Sequence, residues 1–308
     1  MPGVMTTAQF AKLMWPGLNK TFGLNYNEYP PEYVKLFDVS GSSKAYEEDQ
    51  GLTGFGLAVE KSEGAGIVYD EASQSFTMRY QNKTYTLGFA ISQETIEDNQ
   101  YDLSIVGKNQ SAGLGRSMRL TREFIGANIY NRAFDSTLTY GDGYQMIGTA
   151  QPTKAGGTFS NTLATQADLS ELALEQALID IAGFKDDRGN VIAVKGRSLH
   201  FAKENEFEVD RILGSTKQSG TANNDLNALN HLGKFPGGQH INHYFTDPDA
   251  WFIRTDITVD TGLRWFDRVK TQFAMDDDFN TTNALYRARF RCSAGISDKR
   301  AIYGSSGA

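Results

Sequence analysis

The sequence of 308 residues contains a single cysteine, Cys292. One cysteine excludes an intrachain disulfide framework and a cysteine-rich metal site, and it fits a reducing compartment. No stretch approaches the roughly 18 uninterrupted apolar residues of a membrane span. The first 24 residues also lack an apolar core of signal-peptide length. We therefore expect a protein that is made inside a cell and has no membrane partner.

The sequence also lacks a surplus of positive charge. It has 30 Lys and Arg against 37 Asp and Glu, a formal net charge of −7. Sequence-specific nucleic-acid binders gain their affinity from phosphate contacts made by basic residues. The acidic balance therefore argues against such binding, although it does not exclude a container for nucleic acid.

The usual signatures of an active site are missing as well. Gly51, Gly54 and Gly56 do not have the spacing or the strand-to-helix context of a dinucleotide-binding loop. The sequence has no phosphate-binding loop, zinc-protease motif or nucleophile elbow. Cys292 lies on the apolar side of an alternating strand pattern, which predicts a core thiol. We therefore predict no catalytic and no cofactor-binding residues.

The histidines and the acidic runs predict no metal site either. His240 and His243 lie in a strand-like segment, where positions i and i+3 point to opposite faces. Residues 276–278 and 186–189 are read as turns rather than as cation ligands. An enzyme with an unrecognised site near His240 and His243 remains an alternative, because catalytic triads are defined by geometry rather than by motif.

The composition that is present fits a globular protein. Hydrophobic residues make up 40% of the chain and charged residues 22%, so disorder is not expected. Thirty-one glycines beside 12% aromatic residues indicate turn-rich β structure.

Residues 1–39 predict an extended arm. A short amphipathic helix is expected to be interrupted at Pro16 and Gly17. An arm that carries so many aromatic residues is expected to pack on a surface, and another subunit is one candidate for that surface. The aromatic residues are Trp15, Phe22, Tyr26, Tyr29, Tyr33 and Phe37.

Residues 40–91 predict a long hairpin with glycines crowded in its middle. Alternating apolar residues run from Phe76 to Tyr80 and from Tyr85 to Ile91, with a local turn at residues 81–83. The glycine-rich part has too few apolar residues to form its own core. A long two-stranded excursion is marginal alone, so it needs a surface on which to lie.

Residues 92–138 predict a long helix. Steps of three and four continue over residues 103–134, with Gln110 and Thr121 as polar members of the stripe. Glycines at 107, 113, 115 and 126 each cost such a helix about 1 kcal/mol, so two helices broken near Gly113 are an alternative. Arg116, Arg119 and Arg122 give this helix a basic face that contacts either another subunit or solvent.

Residues 139–258 predict a compact domain of helices and short strands. Asp168 and Glu171 form a capping-box pattern before a helix that closes at Gly183. Short strands are expected at residues 191–194, 198–202, 241–245 and 251–253, with a further helix over residues 204–213.

Residues 259–308 predict two long strands. Residues 263–273 and 284–294 alternate between apolar and polar side chains, which indicates one buried and one charged face. Arg287, Arg289 and Arg291 line the charged face, which is expected to meet either an acidic neighbouring subunit or solvent.

Five short stretches occur in the order of this architecture: LGFAISQETIED (87–98), ANIYNRAF (127–134), TDPDAWF (246–252), DDDF (276–279) and SDKRAIYGS (297–305). Together they resemble the major capsid protein of tailed bacteriophages, and in particular the Mu-like prophage major head subunit family. The resemblance implies the tailed-phage major capsid fold. That fold has an N-terminal arm (1–39), an extended hairpin loop (40–91), a peripheral domain with a spine helix (92–138) and closing strands (259–308), and an axial domain (139–258).

The same resemblance implies a function. The chain is expected to assemble with copies of itself, as pentamers and hexamers, into an icosahedral shell around a double-stranded DNA genome. Separate scaffold, protease and portal proteins are expected as partners during assembly. The protein would be made in the cytoplasm of a host bacterium and would end in the virion, without enzymatic activity. The alternative is the shell of an encapsulin-like bacterial nanocompartment, which has the same fold.

Overall fold

The structure is a computed structural model that describes residues 7–92, 94, 103–218, 225–257, 262–278 and 283–308. Two four-stranded sheets and a long helix form its body, and a two-stranded hairpin extends from the body. Helices and strands are mixed without a regular βαβ alternation, which confirms the predicted α+β class.

The described helices are α1 (Thr7–Tyr26), α2 (Tyr33–Leu36), α3 (Leu103–Asn131), α4 (Glu171–Ala182), α5 (Glu206–Gly214) and α6 (Ala228–His231). The strands are β1 (Asp38–Gly41), β2 (Tyr46–Leu52), β3 (Gln74–Gln81), β4 (Lys83–Ile91), β5 (Gln151–Pro152), β6 (Thr158–Phe159), β7 (Gly196–Ala202), β8 (Gln239–Asn242), β9 (Trp251–Thr255), β10 (Leu263–Asp277), β11 (Ala284–Ile296) and β12 (Ile302–Ser305).

Helix α3 is the long helix that the stripe over residues 103–134 predicts. Its 29 residues correspond to about 43 Å at 1.5 Å per residue. Leu114 and Met118 of the stripe are buried, whereas Gln110, one of its two polar members, is exposed and the other, Thr121, is half-buried. The helix runs unbroken past Gly113, which rules out the alternative of two shorter helices. Residues 93 and 95–102 lie outside the described part of the chain, so a start at Ser92 stays a prediction.

The sheet beneath α3, called the spine sheet below, has the strand order β1-β10-β11-β4. Strands β10 and β11 are the two predicted closing strands, paired antiparallel from Leu263↔Ile296 to Asp277↔Ala284. Their apolar faces are buried against α3. Cys292 is 1% exposed on that face, and burial raises the pKa of its thiol to about 12. The prediction of a core thiol is confirmed.

Strand β4 belongs to the spine sheet and not to the hairpin. It pairs antiparallel with β11, and its aromatic side chains stack across the strands, Tyr85 on Phe290 and Phe89 on Tyr286. The chain changes direction at Asn82, whose buried amide donates to the backbone oxygens of Lys44 and Ala45. The hairpin itself is therefore only β2 and β3 with the residues between them.

The prediction that Pro16 and Gly17 interrupt the first helix was wrong, since α1 continues through both residues to Tyr26. A proline inside a helix removes one backbone hydrogen bond. Packing compensates here, because Trp15 and Phe22 both stack on Phe273 of β10, with ring centroids 4.9 and 4.7 Å apart. Most of the aromatic residues of the predicted arm therefore pack on their own chain. Tyr29 is 61% exposed, and a contact between the arm and a second subunit stays a prediction.

The second sheet has the strand order β12-β9-β7-β8, with β7 and β8 parallel. Helices α4 and α5 contribute buried side chains to its core. Strand β12, at the end of the chain, pairs with β9 in this sheet, although residues 259–308 were expected to belong with the long closing strands. The domain limits derived from the sequence stay a prediction.

Two local predictions in this part need correction. Ser170 caps α4, because its hydroxyl accepts the N–H of Ala173 at 3.2 Å. Asp168 instead accepts the N–H of Ala308 at 2.9 Å. Residues 191–194 form no strand and make only a single bridge between Val191 and Lys185. Each departure has a tertiary cause, the first a contact with the C-terminus and the second the lack of a neighbouring strand.

A candidate assembly surface

The hairpin starts as a regular antiparallel pair and then loses its strand ladder. β2 and β3 pair from Tyr46↔Gln81 to Leu52↔Gln74. Beyond them, the N–H of Thr53 donates to the carbonyl of Ser73 at 2.9 Å, and the N–H of Gly56 donates to Asp70 Oδ2 at 2.7 Å. The hydrogen bond from Gly56 lowers the pKa of Asp70 below its ordinary value. These contacts keep the two sides of the loop together, so it continues the hairpin as a ribbon.

This ribbon exposes an unusual amount of apolar surface. Leu57 is 80% exposed and Tyr69 is 89% exposed. The apolar tip comprises seven exposed side chains: Leu52, Phe55, Leu57, Val59, Ile67, Val68 and Tyr69. Scattered exposed apolar residues are common, but a contiguous exposed group marks a site of interaction with another molecule. The sequence prediction that this segment cannot form its own core agrees with these exposures.

The middle of the hairpin is anchored to the turn at residues 186–189. Ser75 Oγ donates to Asp187 Oδ2 at 2.9 Å, and Arg188 pairs with Asp70 at 3.3 Å and donates to the carbonyl of Glu71. The turn is held by Asp186, which accepts the N–H groups of Arg188 and Asn190, each at 2.8 Å. The sequence predicted the turn, but nothing in it indicated that the turn contacts the hairpin.

Burial and hydrogen bonding act in opposite directions on Asp186. Burial works to raise its pKa, but the hydrogen bonds from Asn190 and Arg188 outweigh that effect and lower the pKa below its ordinary value. The carboxylate is thus kept charged, as its role as a double acceptor requires.

The base of the hairpin packs on the body through Tyr80. Its ring lies 5.1 Å from that of Phe266, and its hydroxyl hydrogen-bonds Ser297 Oγ. Ser297 also donates to Asp49 of β2 at 2.6 Å. Burial raises the pKa of Tyr80, which stays a neutral phenol. The hairpin thus has a fixed base and middle and an uncovered tip.

The basic face predicted on the long helix is used within the subunit. Arg122 is 4% exposed and donates to both oxygens of Asp267, at 2.5 and 2.7 Å. Arg116 pairs with Glu28, and Arg119 lies over the ring of Tyr29 at 4.8 Å. Within the subunit, this face therefore holds the segment after α1 against the spine sheet, and the predicted contact with another subunit stays a prediction.

The structure does not bring His240 and His243 together into a metal site. His243 Nδ1 lies 2.7 Å from Glu32, whereas the ring of His240 lies 5.2 Å from that of buried His200. Among the residues that the structure describes, no group of three possible metal ligands occurs. Asp276 and Asp277 end β10, and the turn expected after them falls on residues 279–282, outside the described ranges. None of the described helices is long and apolar enough to cross a membrane.

A long helix packed on one sheet, a second mixed sheet and a hairpin with an uncovered apolar tip define a structural protein built for assembly. A model of phage capsid proteins matches residues 75–305. The chain belongs to this family and is a major capsid protein of a phage shell. Among the curated proteins, none matches the sequence significantly.

Solved capsid structures have the same fold. The chain is similar to the procapsid protein of bacteriophage JBD30, with a TM-score of 0.52, 16% identity, and 98% of this chain and 76% of that chain covered. It is also similar to the capsid of the cyanophage P-SCSP1u, with a TM-score of 0.54, 11% identity, and 91% and 88% covered. The chain is also similar to the virus-like particle from Pyrococcus furiosus, with a TM-score of 0.50, 12% identity, and 94% of this chain and 97% of that chain covered. These likenesses confirm the predicted tailed-phage capsid fold.

Proposed function

We propose that copies of this chain form the pentamers and hexamers of an icosahedral shell that encloses double-stranded DNA, and that the chain has no catalytic activity of its own. The observation that carries this proposal is the apolar tip of the hairpin, which the rest of the subunit leaves uncovered. The tip can be buried only when a neighbouring subunit covers it, so ordering of the tip and association of subunits are coupled.

The acidic net charge of −7 supports a shell that holds DNA without gripping a particular sequence. The proposal includes separate scaffold, protease and portal proteins as partners during assembly, and synthesis in the cytoplasm of a bacterial host. It also includes membership of the Mu-like prophage major head subunit family, which rests on the short stretches between residues 87 and 305. The nanocompartment alternative is not favoured, because the matching family is one of phage capsids.

The experiment is to purify the full chain and to follow particle formation by light scattering and electron microscopy. We expect large, uniform, hollow particles. Replacing two tip residues, Leu57→Ser and Val59→Ser, removes apolar area that only a neighbour covers. That variant should assemble less well, while its thermal unfolding temperature stays the same.

The matched control replaces exposed leucines outside the hairpin, Leu226→Ser and Leu232→Ser, which are 61% and 59% exposed. It separates a loss of tip contacts from a general loss of surface hydrophobicity. A stable monomer or dimer that forms no particles and turns over a substrate would contradict the proposal. Particles filled with a protein cargo instead of DNA would favour the nanocompartment.

A further inference from the structure

The face of the spine sheet that points away from α3 carries a row of arginines that form no ion pair with any residue the structure describes. On β11, Tyr286, Ala288 and Phe290 are buried in the clusters beneath α3 and α1. Arg287, Arg289 and Arg291 alternate with them and therefore lie on the other face. The direct cross-strand partners of Arg287 and Arg289 are small or neutral residues: Gly88, Ala274, Thr86 and Gln272.

Within the described residues, no carboxylate forms an ion pair with these three arginines. The nearest carboxylate along the same face is that of Asp276 on β10, which lies opposite Leu285, two residues before Arg287. This carboxylate accepts the N–H of Asp277. Arg287 is exposed, and Arg291 keeps a buried Nε without a partner. Three unpaired guanidinium groups in one row repel each other unless an anion lies across them.

The subunit's own hairpin covers only the opposite end of this face. Tyr80 packs on Phe266, and a Cβ at Gly295 would lie 3.1 Å from Cε1 of Tyr80. Arg287 lies eight residues from Gly295 along β11, or about 26 Å at 3.3 Å per residue. From its base the hairpin runs to the turn at residues 186–189, where Asp187 and Arg188 hold it. It therefore leaves the arginine end of the face open.

The tip of the hairpin has the opposite charge. The residues between β2 and β3 include Glu60, Glu63, Asp70 and Glu71 but only one basic residue, Lys61. Glu60 and Glu63 are exposed in the subunit and form no ion pair among the described residues. The same segment carries the apolar tip, and Leu285 beside the arginines is 39% exposed. The hairpin tip and the arginine face thus carry opposite charges, and each also exposes apolar side chains.

We infer that the row of Arg287, Arg289 and Arg291 receives the acidic hairpin tip of a second copy of this chain. The inference rests on the proposed assembly of copies and names the surface on which the hairpin docks. Complementary charge steers the two surfaces together and fixes their register, while the apolar side chains supply the buried area. Because tip and receiving face are different surfaces, the contact is head-to-tail, and such contacts build rings and larger arrays rather than closed pairs.

Charge reversal on each side, followed by combination, tests this pairing. One variant carries Arg287→Glu and Arg289→Glu; Arg291 is left unchanged because its Nε is buried. The second carries Glu60→Arg and Glu63→Arg, and the third carries all four substitutions. Each single-sided variant should raise the protein concentration needed for assembly by about tenfold or more, and the combined variant should restore most of that loss.

The matched control is Lys203→Glu with Arg211→Glu, which makes the same change in net charge on exposed side chains of another surface. It should assemble as the wild type does. Thermal unfolding of every variant checks that the fold is kept. A neutral variant, Arg287→Gln with Arg289→Gln, replaces the reversed one if the latter does not fold, and it should show a smaller shift in the same direction.

Normal assembly of the arginine variant would overturn the inference, and so would a combined variant that assembles no better than the single-sided ones. Particles that form in normal yield but no longer retain DNA would also overturn it, since the face would then bind nucleic acid. If the wild type itself forms no particles, the proposed function fails together with this inference. If the wild type assembles and only the pairing test fails, the proposed function stands.

Discussion

Gly115 and Gly126 in α3 lie where other parts of the chain cross the helix closely. A Cβ at Gly115 would lie 2.7 Å from the carbonyl oxygen of Phe22, and one at Gly126 would lie 2.9 Å from Cβ of Tyr33. Gly113, two residues away, has nothing within 4 Å. From sequence, all of these glycines counted only as a cost to the helix. The structure shows that two of them are required by the packing of α1 and α2.

We predict opposite effects from alanine at Gly115 and at Gly113. Gly113→Ala should raise the free energy of unfolding by up to about 1 kcal/mol, because alanine favours the helix and nothing opposes its methyl group. Gly115→Ala should lower it by about 1–3 kcal/mol, because the backbone of α1 must move away. Chemical denaturation of the unassembled chain measures both values. Equal gains at both positions would show that α1 does not lie this close to α3.

His200 gives the fold a defined dependence on pH. Its ring is fully buried and contacts Ser198 Oγ at 2.9 Å. Burial lowers the pKa of His200 well below 6.5, and the charges of Arg254 on β9 and Lys35 on α2 and the ring of His240 on β8 act in the same direction. Tyr130 of α3, which packs beside it, stays a neutral phenol because burial raises its pKa.

The folded state therefore binds fewer protons at His200 than the unfolded state does. The stabilising contribution is complete above pH 6.5 and is lost as the pH falls below that value, by at most about 1.4 kcal/mol for each pH unit. Unfolding free energies measured between pH 7.5 and 5.5 should show this slope. His200→Asn should reduce it and His231→Gln, at an exposed histidine, should leave it unchanged. A slope as steep in His200→Asn as in the wild type would contradict the assignment.

At the scale of elements, regular patterns were predictable and contacts were not. The alternation in β10 and β11 and the period of α3 are set by one buried face that extends over many residues, and both elements form where the sequence predicts them. Residues 191–194 have the composition of a strand but no partner strand. The course of α1 through Pro16 depends on the rings of Trp15, Phe22 and Phe273 meeting in space, and local sequence does not contain that information.

The anchor between the hairpin and the turn at residues 186–189 leads to a prediction about this element. A cavity of about 140 Å³, lined in part by Asp49 and Ser75, separates the hairpin from the body, so Arg188 and Asp187 hold it across an incompletely packed gap. Arg188→Ala removes the contacts to Asp70 and Glu71. Because the pair is partly exposed, the loss should be about 1 kcal/mol or less. Hydrogen exchange in residues 53–73 should accelerate by up to about fivefold.

Arg211→Ala serves as the control, since the ion pair that Arg211 makes among the described residues is with Glu208 on its own helix. Exchange in the hairpin should not change in that variant. The spine sheet should keep its protection in both variants. Unchanged exchange in the hairpin of Arg188→Ala would mean that the base at Tyr80 alone holds it in place.

For the whole molecule, the sequence suggested that both the arm and the hairpin need a surface on which to pack, and another subunit was one candidate for that surface. The structure separates these two segments. Leu18 and Phe22 of α1 are 2% and 6% exposed within their own chain, whereas the hairpin tip remains uncovered. The presence of large apolar side chains alone could not distinguish these cases, because both α1 and the hairpin loop carry several of them. The difference is that β10 and α3 offer α1 a complementary surface.

Limited trypsin digestion of the full chain before and after assembly tests this division. Lys61 and Lys20 are both exposed side chains, but Lys61 lies in the hairpin loop and Lys20 in α1, whose backbone must unfold before a protease can bind it. Unassembled protein should therefore be cut first after Lys61, and the N-terminal fragment that ends at Lys61 should persist as part of the body. In assembled particles the cut after Lys61 should slow, because a neighbour then covers the tip. Early cleavage after Lys20 would instead mean that α1 becomes ordered only when a neighbouring subunit contacts it. Equal cleavage after Lys61 before and after assembly would mean that the tip stays uncovered in the shell.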